Sequence, residues 1–67
     1  MLTLTVNGAP HEHRGDATIA ALLAELGADP GRVAIMLNGR ILRGADRDAV
    51  RLAAGDEVEV LVFAGGG

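Results

Sequence analysis

An α+β fold, with one main helix laid across one face of a mixed sheet, is predicted by three features of the sequence. Two Asn-Gly pairs, Asn7-Gly8 and Asn38-Gly39, each sit between strand-like segments. One stripe of apolar residues at helical spacing, Ile19, Leu22, Leu23 and Leu26, lies between them. The remaining apolar segments are short and of strand length, giving the order β-β-α-β-β-β.

The first strand is read from Leu2, Leu4 and Val6, which alternate with Thr3, Thr5 and Asn7. A period of two buries one face of a strand. Asn7-Gly8 is a two-residue hairpin signal because both residues tolerate positive φ. His11-Glu12-His13-Arg14 returns as a short polar strand near a sheet edge. Asp16 or Thr18 then caps the helix by accepting an orphan N–H of its first turn. The alanines at 17, 20, 21 and 24 add helix propensity. Gly27 falls where a helix C-cap is expected.

Asp29-Pro30-Gly31 reads as a turn, and Val33 to Leu37 as an apolar strand. The second Asn-Gly hairpin leads to Arg40-Ile41-Leu42-Arg43. Residues 44–51 alternate charged and small side chains and read as a loop with room for a helical turn. Ala54-Gly55-Asp56 is a further turn, and Glu57 to Phe63 is the last strand. A right-handed crossover lays the helix on one face of the sheet. Placing the two most apolar strands, first and last, side by side and parallel in the centre gives the β-grasp architecture. Residues 1–64 form this domain, and residues 65–67 form a flexible glycine tail.

Composition narrows the function. The chain has 67 residues and 49% hydrophobic content, which suits one small folded domain and argues against disorder. It has no Cys, so disulfides and thiolate metal sites are excluded. Net charge is −3, the six basic residues are scattered arginines, and Phe63 is the one aromatic residue. A nucleic-acid binder would show a basic patch or stacking aromatics, so no nucleic-acid partner is expected. No apolar run is long enough to span a bilayer and no signal-peptide pattern is present, so the expectation is a cytoplasmic protein without a membrane partner. No nucleophile–base pair and no phosphate-cradling loop before a helix points to a conventional enzyme.

The ending Ala64-Gly65-Gly66-Gly67 is the most informative stretch. Glycine loses the most backbone entropy on ordering and buries no side chain. A glycine run directly after an apolar strand fits a thin arm able to enter a narrow channel, tipped by an α-carboxylate as the working group. An α-carboxyl, with a pKa of about 3.3–3.7, is ionised at neutral pH and nucleophilic toward phosphorus.

Together, Asn7-Gly8 after the first strand, Thr18-Ile19-Ala20-Ala21-Leu22-Leu23, Val33-Ala34-Ile35-Met36-Leu37-Asn38-Gly39, Gly55-Asp56 before Val58-Glu59-Val60, and Gly66-Gly67 resemble the ubiquitin-like sulfur-carrier family over the whole chain. The branch most resembled serves thiamine thiazole synthesis. The resemblance implies a carrier rather than an enzyme, with no bound cofactor. An E1-like adenylyltransferase would use ATP to adenylate Gly67, with Gly66 and Gly65 threading the channel. Sulfur from a cysteine desulfurase or a rhodanese-type protein would displace AMP, leaving a C-terminal thiocarboxylate for a thiazole synthase. Three alternatives stay open: a carrier for molybdopterin or another sulfur pathway, a ubiquitin-like protein modifier, and a plain β-grasp interaction module.

Phe63 and Leu61 share strand parity with Glu57 and Glu59, opposite to Val58, Val60 and Val62, and are candidate docking residues beside the tail. A strand buried on both faces is the alternative. Met36 is read first as core filler, with docking as its other reading. His11 and His13 lie on the same side of a strand at chelating spacing. Nothing nearby in the sequence supplies a convincing third ligand, so no metal site is expected and both are read as solvent-facing edge residues. Arg14-Gly15-Asp16 is read as the turn into the helix cap. Asp46, Asp48, Asp56, Glu57 and Glu59 give an acidic side that either steers a basic partner or is simply solvated.

Overall fold

The computed structural model describes residues 1–63. The expected tail, 65–67, and the boundary at residue 64 lie outside the described residues. Strand β1 (Leu2–Val6) turns at Asn7-Gly8 into β2 (Ala9–His13). Both turn residues have positive φ, 51° at Asn7 and 82° at Gly8. That pair of angles matches the right-handed twist of the flanking strands. Helix α1 (Ile19–Leu26) begins at Thr18, whose side chain accepts the Ala21 N–H at 3.1 Å, and stops at Gly27 in the left-handed region. Of the two expected caps, Thr18 is the one used. Asp16 instead accepts the Thr18 N–H with its backbone carbonyl.

A 3-10 turn, Pro30–Arg32, leads into β3 (Val33–Leu37), and the second Asn-Gly hairpin connects β3 to β4 (Arg40–Leu42). The segment read as a loop with room for a helical turn holds a short helix, α2 (Ala45–Ala49), before β5 (Glu57–Val62). The sheet order is β2-β1-β5-β3-β4. Strands β1 and β5 are parallel, and the other pairs are antiparallel. This is the β-grasp arrangement, with β5 in the middle. Among the described residues no helix is long and apolar enough to cross a membrane.

The core lies between α1 and one face of the sheet. Ile19, Leu22 and Leu23 pack on Leu4, Val33, Ile35, Val58 and Val60, and Leu52 closes the edge. Leu52 reaches the core because its N–H donates to the Ala17 carbonyl at 2.9 Å, tying the segment after α2 to the start of α1. Among the described residues no layer covers the opposite sheet face, so β5 is buried on one face only. Its residues Glu57, Glu59 and Leu61 are all exposed.

Both hairpin asparagines also grip β5. The Val60 N–H donates to Asn7 Oδ1 at 2.8 Å, and Asn7 Nδ2 donates to the Val60 carbonyl at 3.3 Å. Strand β1 ends opposite Val58, so the Asn7 amide continues its ladder where the backbone has turned away. The Glu57 N–H donates to Asn38 Oδ1 at 2.8 Å, and Asn38 Nδ2 donates to Asp56 Oδ1 at 3.1 Å. Replacing Asn7 by Gly keeps the turn geometry and removes only the grip. We expect a loss of about 1 kcal/mol, read as a lower urea midpoint. An unchanged midpoint would mean that water substitutes fully for the amide.

Candidate functional site

The last strand delivers the chain to its glycine stretch. Strand β5 runs past the end of β1, so from Val60 onward β3 is the one strand paired with it among the described residues. The final described hydrogen bond is Phe63 N–H to the Arg32 carbonyl, 2.8 Å, which fixes where the chain leaves the sheet. Large apolar side chains stand exposed around that exit. Leu61 is 49% exposed, Val62 69%, Phe63 60% and Ile41 55%.

The docking candidates divide. Leu61 and Phe63 are exposed, as that reading requires. Met36 is half-buried and pairs with Ile41 and Glu59, on the face away from α1. It is therefore not core filler, and it borders the exposed strip instead. Val62 was expected inward with Val58 and Val60, but it lies open. Its neighbour Val33 on β3 is buried, while its β1-side flank has no strand beside it. Gly65, Gly66 and Gly67, the expected working end, lie outside the described residues.

Beside Phe63 a groove of about 560 Å³ opens between β3, β4 and α2. Ala34, Ile41, Arg43, Gly44, Arg47 and Phe63 line part of it. Arg47 is anchored there: its guanidinium donates to the Pro30 carbonyl at 2.8 Å and to the Val33 carbonyl at 2.5 Å. It braces α2 against the start of β3 and sets a fixed cation beside the exit. Nothing in the alternating pattern of residues 44–51 distinguished Arg47 from its neighbours. Of the acidic residues, Asp56 is committed to structure, with Oδ2 accepting the Ala53 N–H at 2.8 Å and Oδ1 accepting from Asn38. Glu57 and Glu59 remain as exposed charges on the open face.

The histidines differ most from expectation. Leu2 pairs with His13 and Leu4 with His11, so both imidazoles lie on the face that α1 covers. His13 is 0% exposed, and the side chain of His11 keeps 26%. Glu25, on α1, meets both: its Oε1 is 2.6 Å from His11 Nε2 and 3.1 Å from His13 Nδ1. Its Oε2 accepts the Arg14 N–H at 3.0 Å. That backbone donor first, and then the two imidazoles, hold the Glu25 carboxyl down from its ordinary 4.5 to about 2, against the desolvation that opposes them. The reading of the two histidines as solvent-facing is corrected, and the third ligand-type residue that converges on them is Glu25 of the helix rather than a sequence neighbour.

A parallel pairing of first and last strands, two flanking hairpins and a helix across one face define a ubiquitin-like β-grasp protein. The chain belongs to the ThiS family, whose model matches residues 4–67. Its structure is similar to the crystal structure of the thiamine biosynthesis protein ThiS from Geobacter metallireducens, at 39% identity and a TM-score of 0.79, covering 98% of this chain and 100% of that one. The NMR solution structure of a thiamine biosynthesis protein from the same organism matches at 38% identity and TM-score 0.79, covering 98% and 88% of the two chains. Thiazole synthases from Paramagnetospirillum magneticum and Magnetococcus marinus are each 35% identical over 66 residues. That alignment takes in 98% of this chain and 20% of each of those proteins, so the chain spans about one fifth of their length.

Proposed function

We propose that this protein is a sulfur carrier for thiamine thiazole synthesis, a co-substrate that partner enzymes act on, with Gly67 as its C-terminal reacting residue. A carboxylate oxygen of Gly67 attacks the α-phosphorus of ATP, and pyrophosphate leaves. The terminal sulfur of a protein persulfide, relayed from a cysteine desulfurase or a rhodanese-type protein, then attacks the acyl carbon and AMP leaves, giving an acyl disulfide. A second cysteine thiol cleaves its S–S bond, forming a disulfide with the relay cysteine and leaving the thiocarboxylate. The E1-like enzyme supplies the pocket and the ATP. The carrier supplies a recognisable body and a chain segment without side chains.

The observation that carries this reading is the membership of the ThiS family combined with three consecutive glycines directly beyond the β5 exit. The exposed Leu61, Phe63 and Ile41 beside the Arg47 groove fit a docking surface for such enzymes: an apolar patch next to the reacting end lets a partner hold the body while it reaches the tail. The likeness to a fifth of two thiazole synthases supports a synthase as the recipient of the sulfur.

Intact mass of the protein isolated from its own host tests the reading. We expect a species carrying one oxygen-to-sulfur exchange that maps to Gly67. A chain that continues past Gly67 would overturn it. So would a mass left unchanged by ATP, sulfide and the host's E1-like enzyme.

A further inference from the structure

The cluster at His11, His13 and Glu25 lies away from the β5 exit, at the opposite end of the sheet, where β2 meets α1. Its hydrogen-bond arithmetic does not close with neutral imidazoles. His13 Nε2 sits 2.5 Å from the Asp16 carbonyl, which only accepts, so Nε2 carries a hydrogen. In neutral imidazole the other nitrogen then presents a lone pair. That nitrogen, Nδ1, faces Glu25 Oε1 at 3.1 Å, and a carboxylate oxygen also presents only lone pairs. His11 Nε2 converges on the same oxygen. A cation has to lie among these three atoms, either a proton or a metal ion.

We propose that His11 Nε2, His13 Nδ1 and a Glu25 carboxylate oxygen form a binding site for a divalent transition metal of the zinc type, with solvent completing the coordination. Three observations carry it. The three ligand atoms lie within 4.8 Å of one another. Two imidazoles and one carboxylate are a donor set that suits zinc rather than calcium or magnesium, which prefer oxygen alone. The outer contacts are those of a metal site. The second ring nitrogen of His13 donates to a backbone carbonyl, which fixes the tautomer and aims Nδ1 inward, and the Arg14 N–H holds the far carboxylate oxygen.

Metal binding adjusts the side chains, with the two imidazole nitrogens starting within 4.8 Å of each other. Tetrahedral zinc with bonds of about 2.0–2.1 Å places its ligand atoms about 3.3 Å apart. The His13–Glu25 separation of 3.1 Å is already close to that. The His11–Glu25 contact, 2.6 Å, opens slightly, which the 26% exposure of both side chains permits. The same opening leaves a face for water. His13, fully buried, is the fixed point. The ion would clamp an edge strand to the helix, so its binding energy adds to folding stability.

Zinc titration of the full chain near neutral pH, followed by calorimetry and by ¹⁵N resonances of the histidine rings, tests the proposal. We expect saturable binding of one equivalent, shifts at both His11 Nε2 and His13 Nδ1, and a Tm that rises with zinc. His11→Ala, at a partly exposed edge-strand position, and Glu25→Gln should each weaken binding by about tenfold or more. Absence of saturable binding at roughly millimolar zinc would overturn the site and leave a proton as the bridging cation. Binding undiminished in His11→Ala would overturn it as well. Should either variant fail to fold, the wild-type His13 Nδ1 resonance decides: a shift with one equivalent of zinc supports the site, and an unmoved resonance overturns it.

Discussion

A variant with a single tryptophan appended after Gly67 is expected to lose adenylation by roughly a hundredfold or more, because the reacting carboxylate moves away from ATP and a bulky group enters the channel. The expectation rests on the carrier function proposed above. The buried core draws on residues from Leu4 to Val60. The circular dichroism spectrum and the urea midpoint of the variant should therefore match the parent. ATP–pyrophosphate exchange with the host's E1-like enzyme provides the readout. Exchange at the parental rate would show that Gly67 is not the reacting group and that the glycines serve another purpose. Lost exchange with an unchanged fold separates a reacting tail from a plain interaction module, which would keep its binding.

The second large effect is on stability. Ile35 is 0% exposed and sits on β3, opposite Val60 of β5 and Leu42 of β4, facing α1. Ile35→Ala removes transfer energy and leaves a cavity, a loss of about 2–5 kcal/mol. A domain of 67 residues has about 3–10 kcal/mol in total at typical per-residue stability. The variant is therefore expected to be largely unfolded, or to unfold at a small fraction of the parental urea concentration. A loss below about 1 kcal/mol would mean that α1 settles onto β3 and fills the space.

The order of elements and the strand neighbours could be read because each rests on local chemistry. Asn7-Gly8 and Asn38-Gly39 set two hairpins, and the leucine stripe set the helix. Topology then left few ways to close a sheet around a central β5. What escaped lies in contacts between distant segments. The register of the first hairpin already placed His11 opposite Leu4 and His13 opposite Leu2. Both histidines could thus have been assigned to the leucine face, but their polarity argued for solvent. The missing fact was Glu25, which falls outside the apolar stripe of α1 and becomes a partner only once the helix is docked over β2. Leu52 has Val50, two residues earlier, as its one apolar neighbour at strand period, a pattern too short to mark it as core. Val62 continues the inward parity of Val58 and Val60, yet strand pattern carries no information about where a neighbouring strand ends. The exposure of Leu61 and Phe63 was the favourable case, since their parity with Glu57 and Glu59 already set them on the open face.

The central position of β5 also determines how the domain answers force. A pull on the chain beyond Phe63, directed along β5, loads two neighbours together: β3 through five registered pairs and β1 through the Thr5 and Asn7 amides, which donate to the Asp56 and Val58 carbonyls. Those bonds lie across the direction of pull, so they must slide and rupture collectively rather than peel apart singly. The Asn7 and Asn38 side chains add rungs at two further points along the same strand. A domain anchored in this way can be drawn by its C-terminal side without unravelling from that end.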